Sequence, residues 1–187
     1  MRVKSRRAAR EAALRALYQV EVGKASPEAS VENIEAFGEL PDDLRDFARE
    51  VVEGVFSNLP QLDRAIGEKL RDYGLDRIAA VDRNLLRIAC YELLHCPEIP
   101  PKVTLNEAIE LAKKYSTAES GKFVNGVLAA ILAESPKALW NPSADEPHED
   151  SPLEPEPAVE EVEADSPEAQ ELAKVGKWTI RSEEPEA

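Results

Sequence analysis

The stretch Asp82-Arg-Asn-Leu-Leu-Arg-Ile-Ala-Cys-Tyr-Glu-Leu-Leu-His95 decides the fold. Its Leu85, Leu86, Ile88, Ala89, Cys90, Leu93 and Leu94 cover most of a helical circumference, and a helix that is apolar on nearly every side belongs in an interior. Asp82 is placed to cap its first turn. Pro97, Pro100 and Pro101 break the chain behind it. A central helix needs others around it, and the flanking sequence supplies them.

On the N-terminal side, Lys4 to Val22 reads as a first helix that stops at Gly23, with Ala9, Ala13, Ala16, Leu17 and Val20 as its apolar stripe. Ser26 and Pro27 open a short second helix to Phe37. Leu44, Phe47, Ala48, Val51, Val55 and Phe56 form a third after Pro41. A fourth is expected from Pro60 to Tyr73, with Leu62, Ile66 and Leu70 inward and Gly74 as its stop. On the C-terminal side, Thr104-x-x-Glu107 has the form of a capping box opening a sixth helix, and Ser116-x-x-Glu119 one opening a seventh. Leu105, Ala108, Ile109 and Ala112 line the sixth; Val124, Val127, Leu128 and Ile131 line the seventh. The expectation is an all-α domain of about seven helices over residues 1–140, with one continuous core.

Residues 141–187 change character. They hold 15 acidic and 3 basic residues, a net charge of -12, while residues 1–140 hold 22 acidic and 20 basic, so the overall charge of -14 belongs almost wholly to the tail. Rich in Pro, Glu, Asp, Ser and Ala, this segment is expected to be a disordered acidic tail, because it cannot bury enough apolar area to offset its ordering entropy. Its Val175-Gly-Lys-Trp-Thr-Ile-Arg181 patch is either a docking motif or a chance apolar cluster. The tail is a candidate competitor for the basic end of the body, or else a solubilising extension.

Cys90 and Cys96 have neither a paired nor a metal-type spacing, which favours a reducing compartment. No apolar run approaches a membrane span and no signal-peptide pattern follows the basic N-terminus, so a cytoplasmic location is expected. Arg2, Lys4, Arg6, Arg7, Arg10 and Arg15 crowd six cations into fifteen residues with Glu11 as their one acidic neighbour. Cations in a helix's first turns oppose its macrodipole. Together with helix N-terminal amides they suit a phosphate ligand.

Four passages resemble the NusB family of bacterial transcription antitermination factors. They are Ser5-Arg-Arg-Ala-Ala-Arg-Glu-Ala-Ala-Leu-Arg-Ala-Leu-Tyr18, Val81-Asp-Arg-Asn-Leu-Leu-Arg-Ile-Ala-Cys-Tyr-Glu-Leu94, Pro101-Lys-Val-Thr-Leu-Asn-Glu-Ala-Ile-Glu-Leu-Ala-Lys113 and Ser120-Gly-Lys-Phe-Val-Asn-Gly-Val-Leu128. The resemblance spans residues 2 to about 135 and leaves the acidic tail outside. It implies two small packed helical subdomains and binding to boxA RNA of nascent ribosomal RNA transcripts. It implies NusE, a small-subunit ribosomal protein, as direct partner. Other Nus factors and RNA polymerase would be reached indirectly. It implies no catalytic activity, cofactor or metal.

On that resemblance Arg6, Arg7 and Arg10, one wide helical face, are expected to contact RNA phosphates, with Lys4 contributing. Lys122 beside Phe123 can join phosphate attraction to base stacking, the alternative being that Phe123 is a core residue and Lys122 an ordinary surface charge. Glu119 and Ser120 are expected to flank that surface. Tyr18 either extends the basic row Arg10–Leu14–Tyr18 or lies buried under the third helix. Asp82 and Asp76 are the candidates for contact with NusE, Asp82 being equally explained as a helix cap. Gly126 is expected to mark a close helix crossing, and Asn125 beside it either fixes a backbone group or meets ligand, the structural role being favoured.

Other chemistry is set aside. Glu92-x-x-His95 has di-iron spacing, but the other histidine, His148, lies in the tail and cannot complete a site. His95 beside Cys96 is poorly placed for a base–nucleophile pair, and no Gly-rich phosphate loop occurs. Two alternatives stay open. One is a NusB-like accessory RNA-binding module of the kind that begins certain ribosomal-RNA methyltransferases, although here an acidic tail follows where those enzymes continue. The other is a helical protein adaptor whose basic end merely solubilises it.

Overall fold

Helix α4 (Ala80–His95) is the axle of the structure, and α1 (Arg6–Glu21), α3 (Asp42–Gly67), α5 (Pro101–Tyr115) and α6 (Ala118–Glu134) all pack against it. The computed structural model describes residues 5–37, 40–70 and 74–140. Lys4, Tyr73 and the tail from 141 onward lie outside those residues. A short α2 (Pro27–Glu32) runs into a 3-10 turn (Asn33–Phe37), a second 3-10 turn (Leu75–Arg77) precedes α4, and no strand occurs among the described residues. The described residues are all-α, with six α-helices where seven were expected.

The missing boundary is at Pro60. α3 runs unbroken through it for 26 residues. Proline inside a helix removes one backbone hydrogen bond and costs about 3 kcal/mol. Here the apolar stripe continues in register on both sides, with Val51, Val55, Leu62 and Ile66 each 0–1 % exposed. Burying both halves on one face outweighs the local break. α3 then ends at Gly67, well short of the Tyr73 expected from the sequence.

Elsewhere the stripes lie as their spacing demands. Ala9, Ala13, Ala16 and Leu17 of α1, Leu85, Leu86, Ile88, Ala89 and Leu93 of α4, and Val124, Val127, Leu128 and Ile131 of α6 join one buried cluster. The closest crossing falls at Gly54, not at Gly126. A β-carbon on Gly54 would sit 2.1 Å from the Tyr91 ring, whereas one on Gly126 would meet nothing within 4 Å. Gly126 and Asn125 are both exposed, so the crossing expected there is absent.

Polar ties fix the helices further. Arg87 of α4 donates to Asp63 of α3 at 2.7 and 2.9 Å and to Glu21 of α1 at 3.1 Å. The Ser30 hydroxyl donates to the Ala16 carbonyl at 2.8 Å and pins α2 to α1. Lys137, beyond α6, is buried, and its ammonium donates to the carbonyls of Glu92, Cys96 and Ile99 at 2.8, 2.5 and 2.5 Å. It thus closes the C-terminal end of α4, where a cation also complements the helix dipole. Desolvation pulls its pKa below the usual lysine range. Burial pushes both thiols, Cys90 and Cys96, up to about 12.

Candidate nucleic-acid interface

α1 begins without help of its own. Ser5 makes no side-chain cap bond and the first turn holds no acidic residue. The compensating negative charge comes from other helices. Arg10 is 3 % exposed and binds Glu92 of α4 through Nε and Nη2 at 2.7 and 3.2 Å. Glu92, 1 % exposed, also accepts from the Thr104 hydroxyl of α5 at 2.8 Å. Arg7 forks onto Glu107 of α5 with two bonds of 2.9 Å, and this pairing raises its pKa.

The expected phosphate face is corrected accordingly. Arg10 is an internal strut. Its guanidinium lies in the core with Glu92 and over Phe47, whose ring centroid is 5.4 Å away. Removing it from water without Glu92 would be prohibitive. Arg7 is a quarter exposed and already paired. Arg6 lies half-buried over the same Phe47 ring at 5.3 Å. Thr104 and Glu107, the expected capping box, hold α1 instead; α5 starts earlier, at Pro101, behind Pro100. Glu92 is equally unavailable as a metal ligand while it binds Arg10 and Thr104.

Farther along α1, Glu11 receives Lys114 at 2.6 Å and the Tyr115 hydroxyl at 2.8 Å, and Arg15 donates to that hydroxyl at 3.2 Å. Glu11 raises the pKa of Lys114 and holds it charged. Arg15 and Lys114 both lie over the Tyr115 ring, at 5.9 and 5.1 Å. Arg15 and Tyr115 were not among the site residues expected from the sequence; the i+4 step from Glu11 to Arg15 is the one local hint. Tyr18 is 40 % exposed and so is not buried under α3, and in its row Arg10 and Leu14 are themselves buried. It lines an apolar groove of about 480 Å³ with Val22, Phe37 and Tyr115.

The start of α6 is the other half of the expected site. Thr117, not Ser116, is the cap, and it pairs reciprocally with Ser120. Ser120 is buried; its hydroxyl contacts those of Ser116 and Thr117, both at 2.9 Å, and donates to Asp82 at 2.8 Å. Asp82 is therefore not the cap of α4, which starts at Ala80, but a buried tie between α4 and α6. Its remaining oxygen Oδ1 is buried without a partner. Ser120 and Asp82, expected to contact RNA and NusE respectively, thus face each other rather than solvent. Asp76 is exposed on the 3-10 turn before α4. Lys122 and Glu119 are each 80 % exposed and 3.6 Å apart, and Phe123 is half-buried against the core.

These features define a small helical bundle with internally braced arginines and exposed cations around the α5–α6 hairpin. The NusB family profile matches residues 7–133, and the chain belongs to that family. A transcription antitermination protein NusB from Pelotomaculum thermopropionicum is 48 % identical over 134 residues, covering 71 % of this chain and 92 % of that protein. The one from Desulforamulus reducens is 39 % identical, covering 71 % and 93 %. Among solved structures, T. maritima NusB superposes with a TM-score of 0.65 at 38 % identity, covering 71 % of this chain and 93 % of that one. The fold also matches, at TM-score 0.64, 28 % identity and coverage of 69 % and 96 %, a structure of antitermination factors NusB and NusE in complex with dsRNA.

Proposed function

We propose that this protein is a transcription antitermination factor that binds boxA-type RNA of nascent ribosomal RNA transcripts together with NusE, in the cytoplasm and without catalysing a reaction. Family membership across the whole helical body carries this reading. The geometry supports it with an exposed cation, Lys122, next to the half-buried Phe123 at the start of α6. Single-stranded RNA is held by such pairs through phosphate attraction and stacking. Arg6 and the solvent edge of Arg7 serve as further phosphate contacts, with Lys4 ahead of them and Glu119 flanking. Arg10 positions α1 from inside and Ser120 positions α6. Asp76 is the exposed acidic candidate for NusE, while Asp82 ties α4 to α6 through Ser120. No helix among the described residues is long and apolar enough to cross a membrane.

The test is titration of a short boxA RNA, with and without NusE, by wild type and by an Arg6→Gln, Lys122→Gln variant. Weaker binding at unchanged helicity supports the reading, and equal affinity moves the RNA site elsewhere. The apolar groove beside Tyr18 favours, as second reading, a protein adaptor. Affinity for RNA that falls steeply with salt separates the two, because phosphate contacts release counterions.

A further inference from the structure

Most cations of the body have an internal acceptor, but one groove is lined by polar groups that have none. It lies between α5 and α6, has a volume of about 330 Å³, and is lined by Lys102, Asn106, Ile109, Asn125, Leu132 and Trp140. Lys102, Asn106 and Asn125 are exposed, and no side-chain hydrogen bond or ion pair engages them among the described residues. The spacing explains their convergence. Lys102, Asn106, Ile109 and Lys113 recur at i, i+4, i+7 and i+11 on α5, and Lys122, Asn125 and Leu132 at i, i+3 and i+10 on α6. The helices run antiparallel with Lys113 lying over Gly121, whose β-position is 3.3 Å from Lys113 Cγ. The result is a strip with Lys113 and Lys122 at one end, two carboxamides in the middle, and Lys102 with the Trp140 ring at the other.

We infer that this α5–α6 groove is a nucleotide subsite: it takes one base of a single-stranded RNA between the carboxamides of Asn106 and Asn125, against Trp140, with Lys102 on the adjoining phosphate. The inference rests on the RNA-binding reading above and extends the path of the strand beyond Lys122 and Phe123. Three chemical features support it. Side-chain carboxamides pair donor and acceptor with a base edge. An aromatic ring offers a stacking platform that tolerates any base. The cations are free to exchange partners: at one end Lys113 and Lys122 form only exposed i,i+3 pairs with Glu110 and Glu119 that contribute little, and at the other Lys102 has no partner among the described residues. A groove of this size also matches a single nucleotide better than a folded protein surface. Of the two roles the sequence left to Asn125, a structural one and a ligand contact, its exposure on this groove favours the ligand contact.

The test uses the full chain carrying Trp178→Phe, which leaves Trp140 as the one tryptophan. A boxA-type single-stranded RNA is titrated while Trp140 emission is followed, and Asn106→Leu, Asn125→Leu and Lys102→Gln variants are compared at several salt concentrations. Expected are a change of Trp140 emission on binding, and about tenfold weaker binding in each asparagine variant with an unchanged salt slope. The Lys102 variant is expected to lower the magnitude of the salt slope by about one. Circular dichroism and a urea midpoint, unchanged for these exposed sites, keep a folding defect from imitating the result. Wild type that binds RNA while all three variants and Trp140 emission behave as wild type overturns the subsite alone. Wild type that binds no RNA overturns the functional reading and the subsite with it. Asparagine variants that keep RNA affinity but lose affinity for NusE assign the groove to a protein and equally overturn the proposal.

Discussion

The first helix and the α5–α6 hairpin both carry dense positive charge in the sequence, yet the structure uses the two quite differently. On α1, Arg10 is sealed in the core on Glu92 and Arg7 is forked onto Glu107. On α5 and α6, Lys102 has no acceptor among the described residues and Lys122 has the exposed Glu119 3.6 Å away. The contrast separates charge that builds the fold from charge that is available to a ligand. It also explains how α1 tolerates arginines at the wrong end of its dipole: α4 and α5 deliver carboxylates to that end.

The sharpest way to break the contrast is Arg10→Ala, which leaves Glu92 buried and unpaired. A loss of about 3–5 kcal/mol in urea unfolding is expected. An Arg10→Met, Glu92→Leu double variant should regain most of it, and a stability unchanged by the single variant would contradict a strut. Next is Lys137→Met, which strips three carbonyls of their donor at the end of α4. Thermal unfolding should show a loss of about 2 kcal/mol. The buried thiols add a pH signature. Their folded pKa, about 12, exceeds the unfolded value near 9. The stabilisation is therefore complete below pH 9 and lost between 9 and 12, at about 1.4 kcal/mol per unit per thiol. Alkylation of the native protein by iodoacetamide at pH 8 should be correspondingly negligible. Arg7→Gln, at the partly exposed edge, should cost about 1 kcal/mol in the same urea titration. Smallest in stability is Lys122→Gln, with no measurable change in the urea midpoint but a shallower salt dependence of RNA binding.

Much of this architecture could be read from residue spacing. The stripes of α1, α4 and α6 recur at helical period, and their members are buried except Val20 and Leu94, which are half-buried. Polar residues at helix starts were the weak point. Thr104, Glu107 and Asp82 have the chemistry of caps, but the same oxygens serve equally well as tertiary acceptors and donors, and only the packed neighbours decide which. Thr104 and Glu107 went to the braces of α1, Asp82 to Ser120. Pro60 misled for a related reason, since a local breaker loses to a continuous buried stripe. For the candidate site, Lys122 stood out as a cation beside an aromatic residue. Arg10 did not reveal its burial, because its acceptor, Glu92, lies 82 residues away in sequence. The α5–α6 groove was invisible for the same cause: Asn106 and Asn125 are ordinary until two helices set them side by side.

Lys137 has a consequence for the order in which the molecule is made. The carbonyls it gathers belong to residues 38 to 45 positions earlier. While the chain is being synthesised, the central helix keeps an open lower end until this residue emerges. The bundle is thus fastened by a side chain outside its six described helices, and a nascent chain halted a few residues earlier would hold each of those helices but lack this clasp.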